Sequence, residues 1–193
     1  MGRRAHISDG DLLVAAGRVA ARVGPAQATV AAIAREAKVP IGSVYHRVTS
    51  RSSLMADVWI AAAERFGSEF LDLLERVERL ESAAEVALVT PRFTRADHAG
   101  GVVLLAHRRD DFLEGAPEEK RSRASRLSSD LQKGLGEAAR RLLPGDKRGR
   151  ERLAVALIGV PYGAVRVFLP QATPPAELDP VIVAAARAAL ISS

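Results

Sequence analysis

The sequence contains no cysteine among its 193 residues, and only 4% of its residues are aromatic. The missing thiols exclude a disulfide framework, a cysteine nucleophile and a cysteine-ligated metal site. The longest run without a charged residue, Leu153 to Val165, is shorter than the roughly 18 apolar residues of a membrane span. No apolar run follows the charged N-terminus, so no secretory signal is indicated. We therefore expect a soluble, cytoplasmic protein.

The positive charge of the chain is confined to its N-terminal quarter. The formal net charge is +5, and residues 1–51 carry eight basic and three acidic side chains. Basic and acidic residues cancel over residues 52–193. A localised positive field favours a polyanion, either nucleic acid or an anionic membrane surface. A solvated basic face without a particular function is the alternative.

Apolar residues recur with helical spacing along almost the whole chain, which indicates an all-α fold of about nine helices. Ser8 and Asp11 predict a capping box at the start of the first helix, and Gly24-Pro25 ends it. After three N-terminal helices, proline and glycine residues separate helices expected near residues 51–80, 82–94, 97–112, 118–143, 147–168 and 179–191.

Two short predicted helices, residues 30–37 and 41–48, are joined by a three-residue turn, as in a helix-turn-helix. Ala34 is small where the two helices would cross, and Val39 and Val44 supply the apolar contacts after the turn. The turn position at Lys38 favours a left-handed backbone that suits glycine. Lysine there is expected to cost about 1 kcal/mol in strain.

The run from Thr29 to Val48, followed by Ser50, Arg51 and Leu54, resembles the DNA-binding signature of the tetracycline-repressor (TetR) family. The chain departs from that signature at four positions: Lys38 for Gly, Val48 for Phe, Thr49 for Pro or Gly, and Arg51 for Lys. The resemblance implies that a three-helix DNA-binding domain, residues 1–50, precedes a larger ligand-binding and dimerisation domain, residues 51–193. The DNA-binding residues it implies are Thr29, Lys38, Ile41, Gly42, Ser43, Tyr45, His46, Arg47 and Arg51.

Within that set, the resemblance implies two kinds of contact. The base-contact candidates are Ile41, Gly42, Ser43, His46 and Arg47, of which the last three could also contact phosphate. Phosphate contacts would come from Thr29, Tyr45 and Arg51. Two alternatives stay open, because Tyr45 would also suit a half-buried core position and His46 a solvated surface. Arg3 and Arg4 are either an arm in the minor groove or a disordered tail.

Two C-terminal segments, residues 153–165 and 181–191, are apolar on almost every side and therefore need cover on more than one face. We expect these last two helices to form a four-helix interface with a second copy, as the resemblance also implies. A central core helix in a monomer is the alternative. Pro161 is expected to kink the first of these helices.

The resemblance also implies an effector cavity among the middle helices. A few polar anchors in an apolar cavity are usual for a small-molecule site. The candidate lining residues are Trp59, Phe66, Phe70, Phe93, His98, His107, Tyr162 and Arg166. The pair Gly100-Gly101 either loosens the helix beside such a cavity or permits close helix packing.

No phosphate-cradling glycine loop, metalloprotease motif or nucleophile elbow is present, so we expect no enzyme activity, cofactor or metal. The sequence predicts a ligand-responsive transcriptional regulator, more readily a repressor than an activator, that binds a palindromic operator as a homodimer. The expected partners are double-stranded DNA, a second copy and a small-molecule effector, not a membrane. The alternatives are a constitutive DNA-binding protein without a sensor, and a helical interaction scaffold.

Overall fold

The computed structural model describes residues 8–191, which form an all-α fold of ten helices. The fold class is therefore as expected, with one helix more than the predicted nine. The helices are α1 (Asp9–Val23), α2 (Val30–Glu36), α3 (Ile41–Tyr45), α4 (Arg51–Glu75), α5 (residues 80–96), α6 (His98–Leu105), α7 (Arg109–Leu113), α8 (Glu118–Leu142), α9 (residues 149–166) and α10 (Asp179–Ile191), with a 3₁₀ turn at Ala176–Leu178.

Two of these helices change their hydrogen-bonding pitch along their length. Residues 84–88 of α5 are 3₁₀-helical, and residues 155–159 of α9 form a π-helical turn. The π turn lies directly before Pro161, which lacks the amide hydrogen of a regular helix and would crowd the carbonyl four residues earlier. The widened turn is how the chain accommodates this proline within α9.

Two predicted helix boundaries were wrong, both because of tertiary contacts. Helix α4 ends at Glu75 rather than near residue 80. At this end the Arg141 guanidinium of α8 donates to the carbonyls of Leu74 (2.9 Å) and Val77 (3.3 Å). The predicted helix over residues 97–112 is broken into α6 and α7, because Arg108 adopts an extended conformation. His107 fills this corner and packs edge-to-face on Phe112, with ring centroids 6.0 Å apart.

The glycines at the start of α6 serve close packing rather than flexibility. Gly100 and Gly101 are both buried. A Cβ added to Gly101 would lie 2.7 Å from the Thr94 Cγ2 of α5. Of the two expectations for this pair, the structure therefore supports the close approach of two helices.

Helix α4 belongs to both of the large apolar cores. Its first half, including Leu54, Val58 and Trp59, packs with α1, α2, α3, α6 and α7 in the N-terminal core. Its second half, including Phe70 and Leu74, packs with α5, α8, α9 and α10 in the C-terminal core. This one rigid element therefore joins the helix-turn-helix to the rest of the molecule.

Candidate nucleic-acid interface and effector cavity

Side-chain caps fix the starts of α1 and α2. The Asp11 amide donates to the Ser8 hydroxyl (3.0 Å), and the Ser8 hydroxyl donates to the Asp11 carboxylate (2.6 Å), which lowers the pKa of Asp11. The Ala32 amide donates to the Thr29 hydroxyl (3.1 Å) at the start of α2. The predicted caps are therefore present, and the Thr29 hydroxyl already has a partner in its own helix.

The turn between α2 and α3 has the conformation expected at Lys38. This residue has φ = 57°, and no other non-glycine residue among positions 8–191 has a positive φ. The Val39 amide donates to the Ala34 carbonyl (3.0 Å) and the Lys38 amide to the Arg35 carbonyl (3.1 Å), which together form a Schellman motif. Ala34 and Val44 are buried, as predicted, so the angle between the helices is fixed by packing on the N-terminal core.

Helix α3 presents an open face. Ile41 is 45% and Tyr45 64% exposed, and His46, just after the helix, is also exposed. A Cβ added to Gly42 would meet no protein atom within 4 Å. The exposure of Tyr45 excludes the alternative that it is a core residue. Ser43 is half-buried beside this face.

Arg47 is held by the first turn of α1. Its Nη1 donates to the Asp9 Oδ1 at 2.7 Å, and the carboxylate is largely exposed while the guanidinium is mostly covered. This ion pair links the segment after α3 to α1. To contact a base, Arg47 would have to use guanidinium N–H groups other than the one bonded to Asp9, or break its ion pair with Asp9.

Arg51 points toward the loop between α1 and α2. Its Nε donates to the Ala28 carbonyl (2.9 Å), and its Nη2 donates to the carbonyls of Ala26 (2.8 Å) and Pro25. Sequence reasoning missed this bracing contact, because a basic residue at this position gives no local signal of the loop it will reach. A phosphate contact by Arg51 therefore stays a prediction. Arg3 and Arg4 lie outside the described residues.

An apolar cavity of about 240 Å³ lies between α4, α5, α6, α8 and α9. Four of the predicted ligand-binding residues line it, and together they supply all of its aromatic rings: Trp59, Phe66, Phe93 and Tyr162. The remaining lining residues are Ala63, Gly67, Thr90, Leu104, Leu105, Leu127, Ser128, Leu131 and Ile158. The aliphatic members were missed, since leucines at helical spacing are equally typical of a core.

Four predicted ligand-binding residues do not line this cavity, and three of them lie away from it. Phe70 is fully buried behind Phe66, with ring centroids 5.9 Å apart. His98 bonds the Pro170 carbonyl (2.9 Å) at a separate cleft beside α1. His107 packs in the corner between α6 and α7. Both histidines were predicted as polar anchors, but His98 bonds the segment after α9 and His107 packs its ring on Phe112.

The fourth, Arg166, does not line the cavity but contacts its wall. Its Nη1 donates to the Tyr162 hydroxyl, and its guanidinium carbon lies 5.6 Å from the centroid of the Tyr162 ring. A second arginine, Arg109, donates to the hydroxyl of the lining residue Ser128 (3.3 Å). Two of the three hydroxyl groups of the lining residues therefore each accept a hydrogen bond from an arginine.

The last two helices keep an apolar face uncovered. Val155 of α9 is 58% exposed and Val181 of α10 is 62% exposed. Val167, just after α9, and Ile191, the last residue of α10, are exposed as well. The opposite faces of both helices are buried in the C-terminal core, through residues such as Leu157 and Ala186. The structure is therefore at odds with the alternative of a wholly enclosed core helix.

Two absences hold for the part of the chain that the structure describes. In residues 8–191 no helix is long and apolar enough to cross a membrane. The same residues contain no cluster of histidine, aspartate and glutamate side chains that could hold a metal ion.

Solved structures share this fold at low sequence identity. The fatty acid degradation regulator FadR from Bacillus halodurans superposes with a TM-score of 0.71 at 16% identity, covering 97% of both chains. FadR from Bacillus subtilis, solved in complex with stearoyl-CoA, gives 0.70 at 15% identity over 94% of this chain and 99% of that one. The multidrug binding protein EbrR, complexed with imidazole, gives 0.51 at 18% identity over 92% and 93%.

No curated protein sequence matches the chain significantly. Residues 12–58, however, match the family model of bacterial regulatory proteins of the TetR family. That segment contains most of α1, all of α2 and α3, and the start of α4, which together form the exposed α3 face and its support. Proteins of that family are DNA-binding regulators and not enzymes. Over this segment the chain is similar to regulatory proteins of the TetR family.

Proposed function

We propose that the chain is a homodimeric repressor that binds a palindromic operator and is released from it by a small apolar effector. DNA binding is assigned to residues 1–50, and effector binding with dimerisation to residues 51–193. The observation that carries the proposal is the open face of α3, where Ile41, Gly42 and Tyr45 are exposed on a helix that is otherwise fixed by the N-terminal core.

The α3 face has the chemistry of a major-groove reader. Ile41 offers an apolar contact for a thymine methyl group, Ser43 and His46 can bond base edges, and Gly42 lets the backbone approach the duplex. Tyr45 and Arg51 are assigned to phosphates, with Thr29, Lys38 and Arg47 at the edges of the same surface. Phosphate contacts position the domain, whereas the α3 side chains choose the sequence.

Selection of bound duplexes from a random-sequence pool, at near-physiological salt, tests the DNA-binding part of the proposal. We expect a motif with two-fold symmetry, whose half-sites lie one or more helical turns apart. A motif without symmetry would contradict the homodimer, and the absence of any motif would contradict sequence-specific binding.

Gly42→Ala should weaken operator binding without harming the fold. The added methyl group meets no protein atom, and alanine in a helix is favoured over glycine by up to about 1 kcal/mol. On DNA the same methyl group would obstruct the backbone approach, at a cost of about 1–3 kcal/mol, the value of one good base contact. Thermal unfolding and a binding titration on the selected operator measure the two effects.

Gly136→Ala is the matched control, since this glycine lies within α8 and its added Cβ would be 3.9 Å from the Arg140 Nη1, an ordinary van der Waals contact. It should leave operator affinity unchanged. Equal operator affinity for Gly42→Ala and the unaltered protein would show that α3 does not approach the duplex closely at this residue.

Helix α4 offers a mechanical route from the cavity to the DNA. Trp59 lines the cavity and also belongs to the N-terminal core, on which α2 and α3 rest. An effector that fits one position of α4 better than another would therefore shift the two α3 helices of a dimer relative to each other. The shift requires unequal affinity for the two conformers, because tight binding alone moves no equilibrium.

A small-molecule site in this fold is supported by Bacillus subtilis FadR, which was solved in complex with stearoyl-CoA, a thioester with a long acyl chain. In this chain the cavity is smaller than most drug-sized sites, which span roughly 300–1,000 Å³. A constitutive DNA-binding protein without a sensor is the second candidate, and a cavity that takes up no small molecule would favour it.

Ala63→Phe should fill the cavity from α4 and abolish effector binding while operator affinity is kept. The probe is 1-octanol, and the readout is the emission of Trp59, the single tryptophan of the chain, which lines the cavity. Ala96→Phe, at an exposed position of α5, is the control and should leave the response intact. An unchanged response in Ala63→Phe would mean that the probe binds elsewhere.

A further inference from the structure

The polar groups at the cavity are hydroxyl groups, two of which are bonded by arginines. Among the described lining residues, none carries a carboxylate, and the hydroxyl groups come from Thr90, Ser128 and Tyr162. Arginines donate to the last two of these hydroxyls. A guanidinium therefore contacts the wall of an otherwise apolar cavity at two places.

The hydroxyl groups of Ser128 and Tyr162 differ in whether their proton is still free to be donated. Ser128 accepts from Arg109 and donates its own proton to the Ala124 carbonyl of its helix (3.3 Å), so both of its roles are filled. Tyr162 accepts from Arg166, which occupies its oxygen and leaves the phenolic proton to donate. Within residues 8–191 no acceptor for that proton is found among the hydrogen bonds of Tyr162.

The charge of Arg166 strengthens this donor. A guanidinium that donates to a phenol oxygen polarises the O–H bond, and bonds from such a donor to an ionised acceptor are the stronger kind. In the described part of the chain Arg166 forms no ion pair with a carboxylate, whereas Arg109 pairs with Asp110 at 3.4 Å. The unbalanced positive charge therefore lies at Tyr162.

We propose that the effector is an apolar carboxylate, with its hydrocarbon body in the cavity and its carboxylate accepting from the Tyr162 hydroxyl beside Arg166. The inference rests on the proposed function, since it names the ligand class of the same cavity. A volume of about 240 Å³ holds about eight non-hydrogen atoms, if each takes about 30 Å³ as a water molecule does in the liquid. The seven-carbon hydrocarbon body of octanoate fits this volume, with the carboxylate left at the wall, so octanoate is a suitable probe.

The test compares octanoate with octanamide, its neutral counterpart of the same length and shape. Binding to the full chain is followed by Trp59 emission, and release from the selected operator is measured in parallel. We expect octanoate to bind about tenfold more tightly than octanamide, as a charge-assisted hydrogen bond exceeds a neutral one. Tyr162→Phe and Arg166→Gln should each remove this preference, because each weakens octanoate binding more than octanamide binding.

Arg109→Gln is the matched control, because Arg109 also donates to a lining hydroxyl but to one with no proton left to give. It should keep the preference for octanoate. Equal affinity for the two probes would overturn the carboxylate inference and leave the effector cavity standing. Failure of both probes to bind would overturn the inference together with the proposed sensor.

Discussion

Val155→Asp combined with Val181→Asp should convert the protein into a monomer that has lost most of its affinity for a two-fold-symmetric operator. Both valines are more than half exposed on the uncovered faces of α9 and α10. An aspartate buried between two copies would lose its hydration without gaining a partner. Since joining two binding modules raises overall affinity by roughly 10²–10⁴, separating them should cost a similar factor.

Sedimentation equilibrium measures the mass, and a titration on the selected operator measures the affinity. Val14→Asp is the control, since Val14 is 52% exposed on α1 and lies outside this surface. The control should remain dimeric. A double variant that stays dimeric would show that the two copies meet through another surface, whereas a monomer with full operator affinity would contradict the need for a dimer.

Arg51→Ala should lower the free energy of unfolding by about 1.5–3 kcal/mol, the range for hydrogen bonds that involve a charged group. The guanidinium donates to three carbonyls of one loop, those of Pro25, Ala26 and Ala28. An alanine side chain has no hydrogen-bond donor to replace it. Arg51→Lys keeps the charge but cannot reproduce the fork geometry, so most of the stability should be lost there as well. Urea unfolding measures both variants.

Arg22→Lys is the control for the exchange of arginine for lysine. Arg22 pairs with Glu36 at 3.3 Å on the surface, where an ion pair contributes about 0–1 kcal/mol.

Salt titrations on DNA separate the two roles of Arg51. If it also contacts a phosphate, Arg51→Ala should reduce the log–log salt slope by about one and Arg51→Lys should not. Full stability of Arg51→Ala would refute the bracing role.

The helix-turn-helix could be predicted from the sequence because its rules are local. Helix caps at Ser8 and Thr29 and the left-handed turn at Lys38 each depend on a few neighbouring residues. The same holds for helix periodicity, which gave the all-α class. Agreement among several such local signals is what makes a segment predictable.

The features that escaped prediction depend on residues far apart in the chain. Arg51 reaches a loop more than 20 residues earlier, and Arg141 ends a helix more than 60 residues earlier. The cavity brings Leu104 and Leu127 beside Trp59, although nothing in their local sequence separates them from ordinary core leucines. A polar residue such as His98 was predicted in the cavity for its chemistry, but long-range packing placed it elsewhere.

The membership of α4 in both cores limits how this regulator can be recombined with its relatives. A chimera cut at residue 50 would separate Val44 and Ile33 from Leu54, Val58 and Trp59, which share one continuous core. A grafted helix-turn-helix would then pack on α4 side chains from the other protein. Exchange of operator specificity should succeed when the junction lies beyond Ala62, so that the helix-turn-helix travels with the half of α4 that supports it.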